Sequence, residues 1–492
     1  MLIISFILIG VSSILFPLGI LCHDYNLILF SIIFLWCGGV VFSWQQIQKR
    51  IVLLLFLLSM FLFLIGRPVI SLLRGNIWWQ IASGEAVILA LLSLYVSILF
   101  LLIGACFSES KVFTKYKSTE LKILEDKRIF LQRLRQGALF VFCVAIICTF
   151  LEGFEKIAYM FNHTYVEYYT SYRTQQPLIV KGFIQLMKPT LCIFLATMPS
   201  KRKAFLPLLA YLLSTIPYLL VGMRSPTLLA CSFIFIYYFI RDINRIPYSE
   251  KWIGLCEKII ILLSIPLMIV FLFAYTYWRN NNSVDLFSGE NLLFRFIYQQ
   301  GNSFDVLVKA FDVLKELPEN KWPGYTLGPV YDNLVHNNII GRTLFNTVPT
   351  NIQTQEALQI SHDMKAHLSY ILMGNMYFQG HGVGVVYILE VFSDFGWFGV
   401  IIYNFILGIC LERVIFWIQK NWLLSTISIF AFFQLFYTPR SDALYMVMHL
   451  VHPYFWIAIS GCYLIGRIRW KVLSLSNIRK VKMFCKQLRA KT

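Results

Sequence analysis

Charge is what this chain has least of. Only 14% of its 492 residues are Asp, Glu, Lys or Arg, where a soluble domain carries about a quarter. The acidic side is the poorer, with 25 Asp and Glu against 43 Lys and Arg. So little charge cannot clothe a water-facing surface. With 58% hydrophobic residues and a mean hydropathy of +0.67, the surplus apolar area needs lipid to face. Cysteine chemistry is missing as well. Most of the eleven cysteines lie inside apolar runs, as Cys143, Cys192 and Cys410 do, and none falls between Arg279 and Gly396. No Cys-x-x-Cys or Cys/His spacing marks a metal site or a disulfide framework. No internal repeat is found at any period, which argues against a two-halved transporter.

What is present is a succession of apolar runs. Twelve spans can be cut at roughly 2–22, 27–44, 51–66, 85–107, 137–158, 178–198, 205–222, 226–240, 258–278, 396–418, 422–437 and 443–466. Most approach the ~17–25 residues that a helix needs to cross a bilayer. Leu2–Cys22 has neither a basic n-region nor a small-residue cleavage site, so it is expected to be a retained helix. Placing the N-terminus in the cytoplasm puts 28 of the 43 Lys and Arg on inner segments, the bias that orients membrane helices. The same distribution removes nucleic acid as the reason for the +18 charge. The expected fold is an all-α polytopic membrane helical bundle of about 12 transmembrane helices, with both termini cytoplasmic. Helices one to nine occupy 1–278, a large and mostly helical outer loop 279–395, helices ten to twelve 396–466, and a basic cytoplasmic tail 467–492.

Two outer loops stand out. YMFNHTYVEYYTSYRTQQP, between the fifth and sixth spans, is rich in tyrosine. Tyr165, Tyr168, Tyr169 and Tyr172 fit sugar stacking and equally fit an interfacial aromatic belt. The loop after the ninth span is too long to lack structure of its own. LFRFIYQQGNSFDVLVKAFDVLKEL has the spacing of one or two amphipathic helices broken at Gly301. NKWPGYTLGPVYDNL reads as turn-rich and aromatic.

Charges at membrane depth are costly, so each is a candidate for function. Lys181, Gln185 and Lys188 share one face of the sixth span. Lys188 lies ~15 Å from its outer end, where it suits either an anionic substrate or a structural ion pair with Glu152 or Glu155. Lys181 can also snorkel outward. Arg224, in the tight break Gly222–Thr227, suits a phosphate or diphosphate through its planar, permanently charged fork; the alternative is a helix-end anchor. Arg440 holds the matching place between spans eleven and twelve. His449 and His452 share one face of the expected twelfth helix, where core packing is the commoner role. In the long loop, His362 and His367 stand at an expected helix start. A glycine turn follows (Gly380, Gly382, Gly384), then a short apolar helix with Glu390 and Asp394. The glycine turn is no nucleotide loop, for no strand precedes it and no Gly-Lys-Ser/Thr follows. His367 and Glu390 are the candidate bases.

The series H-L-S-Y, G-x-G-x-G and E-x-F-x-D-F-G-x-x-G-V (His367 to Val400) resembles the Wzy-type O-antigen and capsular polysaccharide polymerases. So do G-x-R-S-P (Gly222 to Pro226), F-R-F-x-Y-Q-Q-G (Phe294 to Gly301) and P-R-S (Pro439 to Ser441). The likeness spans roughly Tyr165 to Pro453. It implies a membrane glycosyltransferase that joins undecaprenyl-diphosphate-linked oligosaccharide repeat units at the outer face of the cytoplasmic (inner) membrane. A flippase and a chain-length regulator of the same pathway are implied partners. On this reading Arg224, Arg440, His367 and Glu390 are catalytic, and Lys188, Arg295, Lys181 and Arg173 bind substrate. Some members carry an R-x10-G pattern in both outer loops; here Arg173 to Gly182 and Arg279 to Gly289 are shorter. No Asp-x-Asp-like site faces outward, so transfer is expected to need no metal and no cofactor. The alternatives are a ligase that moves a finished glycan from the same carrier, and a lipid-linked oligosaccharide flippase.

Overall fold

The computed structural model describes residues 2–109, 123–163, 167–168, 172–243, 251–260, 263, 292–318 and 322–467. Among them there is no strand. Eight apolar helices come first: α1 (Leu2–Leu21), α2 (Tyr25–Gln45), α3 (Ile47–Leu73), α4 (Gly84–Glu109), α5 (Ile123–Met160), α6 (Leu178–Ala196), α7 (Lys201–Leu220) and α8 (Ser225–Ile243). Shorter helices follow: α9 (Leu292–Gln300), α10 (Asn302–Asp312), α11 (Gly324–Val335), α12 (Ile339–Phe345), α13 (Gln355–Ile360) and α14 (Met364–Met373). Then come α15 (Tyr387–Lys420), α16 (Trp422–Leu435) and a helical segment at 453–467.

The polytopic all-α bundle is as expected. Among the described residues, nine helices (α1 to α8 and α15) are long and apolar enough to span a bilayer. The ninth expected span, 258–278, lies mostly outside the described residues, as does Arg279. The eleventh is α16, with 14 residues. The twelfth is shorter than expected. Residues 442–452 form turns and a 3-10 segment, and the helix begins only at Pro453. Hence His449 and His452 do not share a helical face. His449 is instead buried and stacked on Phe430, with ring centroids 4.3 Å apart. NKWPGYTLGPVYDNL is also corrected, since everything in it from Gly324 onward belongs to the helix Gly324–Val335. Asp394 closes the start of that helix, its two carboxylate oxygens accepting from Tyr325 N at 3.0 Å and Thr326 N at 2.6 Å. Two N–H groups of a first turn, which have no partner inside their own helix, are thereby satisfied.

α15 sits between α3 and α4. An added Cβ on Gly104 would meet the Phe405 carbonyl at 2.0 Å, and one on Gly408 would meet the Leu101 carbonyl at 2.0 Å. Glycine at both positions lets the two backbones touch, the usual device where lipid supplies no hydrophobic drive between helices. Buried polar bonds fix the pair: Asn404 Nδ2 donates to Ser97 Oγ at 3.2 Å, and Arg50 meets Glu412 at 3.3 Å.

Gly396 breaks α15 into two arms. Its φ of 59° and ψ of −152° are open to glycine alone. The Tyr387 hydroxyl donates to Asn404 Oδ1 at 2.7 Å, although 17 residues of straight helix would separate them by ~25 Å. The arm 387–395 therefore folds back across the membrane arm 397–420. The loop helices dock on α3 in a similar way. Arg67 pairs with Asp305 of α10 at 2.6 Å and lies over the Tyr298 ring of α9 at 4.2 Å. Gly301, the expected break between α9 and α10, comes so close to Arg67 that an added Cβ would meet its backbone N at 2.8 Å.

Replacing Gly408 by Val should force α4 and α15 apart and destabilise the protein by about 1–3 kcal/mol or more. Gly10→Ala, where an added Cβ meets nothing within 4 Å, should be neutral. Loss of monodisperse detergent-solubilised protein on heating measures both; equal midpoints would refute the contact.

Candidate functional site

Three carboxylates from three separate elements converge. Asp363 is the N-cap of α14, its Oδ1 accepting from Lys365 N at 2.8 Å. Glu390 lies on the folded-back arm of α15. Asp442 follows the 3-10 turn Thr438–Arg440. One oxygen of each lies within 4.8 Å of the other two. The Ala443 peptide sets this geometry. Its N–H donates to Glu390 Oε2 at 2.7 Å, and its carbonyl accepts from the Tyr403 hydroxyl on the membrane arm. Glu390 is 0% exposed, and its Oε1 has no hydrogen-bond partner among the described residues.

Lys365 is the cation of the group, with Nζ 3.2 Å from Asp363 Oδ2. Asp363 holds the ammonium well above the usual lysine range against the opposing effect of burial, and Asp442 and Glu390 add to the rise. Burial lifts the Asp442 carboxyl to about 6; the charge of Asp363 adds to this and Lys365 opposes it. Three oxygens at this spacing also suit a hard cation. Lys365 already supplies positive charge there, so the arrangement is one in which neighbouring carboxyls share protons.

Arg440, two residues before Asp442, lies over the rings of Phe63 at 5.1 Å and Tyr437 at 5.4 Å. Among the described residues no carboxylate pairs with it. Lys188 Nζ approaches the Phe433 ring at 5.4 Å. The carboxylates offered as its partners are engaged elsewhere. Glu152 pairs with Lys156 at 3.1 Å, and Glu155 accepts from Thr174 Oγ1, Gln175 N and Gln176 Nε2. The ion pair offered as the alternative is therefore not formed, and no carboxylate among the described residues pairs with Lys188. Phe433 in turn stacks on Phe233 of α8 at 3.9 Å, which joins α6, α8 and α16. Arg224 stands in the break before α8, its carbonyl accepting from Leu228 N at 3.2 Å. Lys181 is half-buried in the first turn of α6, and Arg295 is half-buried on α9. Arg173 is exposed and donates to the Tyr172 carbonyl at 2.8 Å.

His367 is where the geometry departs most from expectation. Its Nε2 donates to the Leu358 carbonyl and its Nδ1 accepts from the Tyr325 hydroxyl, both at 3.0 Å. Burial lowers its basicity. No ring nitrogen is left to take a proton from substrate, so His367 ties α14 to α11 and α13 and does not have the geometry of a base. Sequence reasoning passed over Asp363, Lys365 and Asp442. Each lies within two residues of one already singled out, in H-D-M-K-A-H and P-R-S-D, and an acid beside an expected helix start is itself an N-cap signal.

Replacing Lys365 by Met should leave Asp363, Glu390 and Asp442 to repel one another. The folded-state pKa of Asp442, already raised, then rises further above its unfolded value, so stability is lost as pH rises. The deficit relative to wild type should be largest near about pH 8 and shrink toward about pH 5. Thermal unfolding across that range tests it; a deficit that grows on acidification would contradict the assignment.

The family model described as O-antigen polysaccharide polymerase Wzy matches residues 1–471. No curated protein and no solved structure matches the chain significantly.

Proposed function

We propose a catalytic arrangement for this chain, which belongs to the family of Wzy O-antigen polysaccharide polymerases. Its members are membrane glycosyltransferases that act on lipid-linked repeat units, and this chain is a multi-pass membrane protein. In the proposed reaction the donor is the growing chain on undecaprenyl diphosphate. A hydroxyl oxygen of the incoming lipid-linked unit forms a bond to the donor's anomeric carbon. The bond from that carbon to the diphosphate oxygen breaks, and the hydroxyl proton passes to the carboxylate cluster.

Asp442 is the proposed base. A carboxyl lifted to about 6 is still ionised at neutral pH and is more basic than an ordinary one. Glu390 shares the proton and Lys365 balances the charge. Diphosphate is already a good leaving group, so the remaining need is for cations that bind it more tightly as charge develops. Arg440, Lys188 and Arg224 take that role, with Lys181, Arg173 and Arg295 as outlying contacts to substrate. The observation that carries this reading is Arg440 itself: a guanidinium held on two aromatic faces, with no carboxylate partner among the described residues, two residues from the base.

The excess of Lys and Arg on one set of connections supports an outer-face site in the cytoplasmic membrane, with cytoplasmic termini. A flippase of the same pathway then delivers the units, and a chain-length regulator acts on the product. Exposed Asn302, replaced by Cys in a background without native cysteines, should react with an impermeant thiol reagent in intact cells. Its neighbour Ser303 is 6% exposed and makes a poor probe.

Arg440→Lys and Arg224→Lys keep the charge and lose the fork that fits two phosphate oxygens. Each should lower polymerisation by ~10–1000-fold with little change in membrane abundance. Asp442→Asn should abolish it. In a purified assay the wild-type rate should fall below about pH 6 by up to about tenfold per unit, as the base is protonated. Gel profiles of surface polysaccharide, read with protein levels, decide the matter: a normal long-chain ladder in Arg440→Lys would remove Arg440 from the site.

A further inference from the structure

A second constellation lies apart from the carboxylate cluster, at the C-terminal end of α11. Asp332 and His336 are one helical turn apart, and the segment between α13 and α14 brings His362 to them. One donor atom from each lies within 4.8 Å of the other two. Asp332 is 2% exposed. Its Oδ1 meets His362 Nδ1 at 2.8 Å, and its Oδ2 accepts from His362 N at 2.8 Å and Ser361 Oγ at 3.0 Å. The Tyr331 ring packs edge-on against both imidazoles, with centroids 4.8 Å from His362 and 5.9 Å from His336.

His336 is the informative member. It is 6% exposed, and its Nδ1 is buried with no hydrogen-bond partner among the described residues. A buried ring nitrogen with no partner forgoes a hydrogen bond it would make in water, a cost that a bound cation would remove.

We propose that Asp332, His336 and His362 form a binding site for a borderline first-row divalent cation of the zinc class. Two imidazole nitrogens and one carboxylate oxygen are the donor set such ions prefer, with water in a fourth position. Bonds of ~2.0–2.2 Å in a tetrahedron place donors roughly 3.3–3.5 Å apart, so the 2.8 Å contact between Asp332 and His362 opens slightly and gives up its proton as the ion enters. The backbone is already held for this. Gly328 of α11 packs so closely on the 361–363 segment that an added Cβ would meet the His362 carbonyl at 2.1 Å. The ion clips α11 to the strand of chain that leads into Asp363 and α14. Its role is structural, and its failure would leave the polymerase reading intact.

The test uses tag-free, full-length protein in detergent, stripped with chelator, equilibrated with Zn2+ and dialysed. Wild type should retain close to one equivalent by elemental analysis and unfold at a higher temperature than the stripped form. His336→Ala should lose affinity by more than the ~10–100-fold that removal of an outer-shell partner costs. X-ray absorption at the zinc edge should show imidazole and oxygen ligands, which keeps the proposal testable if His336→Ala does not accumulate. Wild type that retains none of Zn2+, Co2+ or Mn2+ and shows no thermal shift would overturn it. So would undiminished retention in His336→Ala, or sulfur ligation at the zinc.

Discussion

The Phe405 carbonyl lies where a side chain on Gly104 would be, and the Leu101 carbonyl lies where one on Gly408 would be. This contact between α4 and α15 sets the position of everything beyond Gly396. The membrane arm of α15 is seated by two glycines, by Asn404 on Ser97 and by Arg50 on Glu412. The bond from Tyr387 to Asn404 then turns the short arm back across it. Tyr403 and Glu390, one from each arm, grip the two sides of the Ala443 peptide. Asp442 is the next residue back along the chain, and Arg440 is two before that.

The two signs of charge are held by different means. Carboxylates come from α14, the short arm of α15 and the 438–443 turn, with Lys365 as their counter-ion. The cations Arg440 and Lys188 rest on aromatic rings instead of on acids. Such cations lose part of their hydration and gain only a modest attraction from a ring, which leaves them ready for an anionic partner. A glycosyl transfer from a diphosphate needs this division, a base on the acceptor side and positive charge on the leaving side. The loop helices bring one half of it to the bundle, and Arg67 ties them there through Asp305 and Tyr298.

Much of this was legible in the sequence for simple reasons. Long apolar runs can only be membrane helices, and their flanking basic residues carry the orientation signal, so the all-α bundle needed no coordinates. Gly301 was readable as a break between amphipathic helices because turn chemistry is local. Arg224, Arg440, Lys188 and Glu390 stood out because charge is rare in such a chain. The length of the twelfth helix was not legible, since His449 is held in a turn between the rings of Phe430 and Phe455, contacts that local spacing does not foretell. Nor was the pairing of Lys188, because Glu152 and Glu155 have local partners that sequence spacing does not rank.

By itself the sequence determined the class of solvent this protein lives in, the all-helical class and most of the apolar helices in their order, and a short roster of costly charges. Those follow from composition and period, which act over a few turns of chain. Only the tertiary structure decided which charges meet. Asp363, Glu390 and Asp442 come from elements whose order along the chain says nothing of their spacing. They converge because a glycine bend folds one helix back on itself and one peptide is held from both sides. His367, prominent in the sequence, is instead spent on packing, because both its nitrogens found partners when α11, α13 and α14 closed around it.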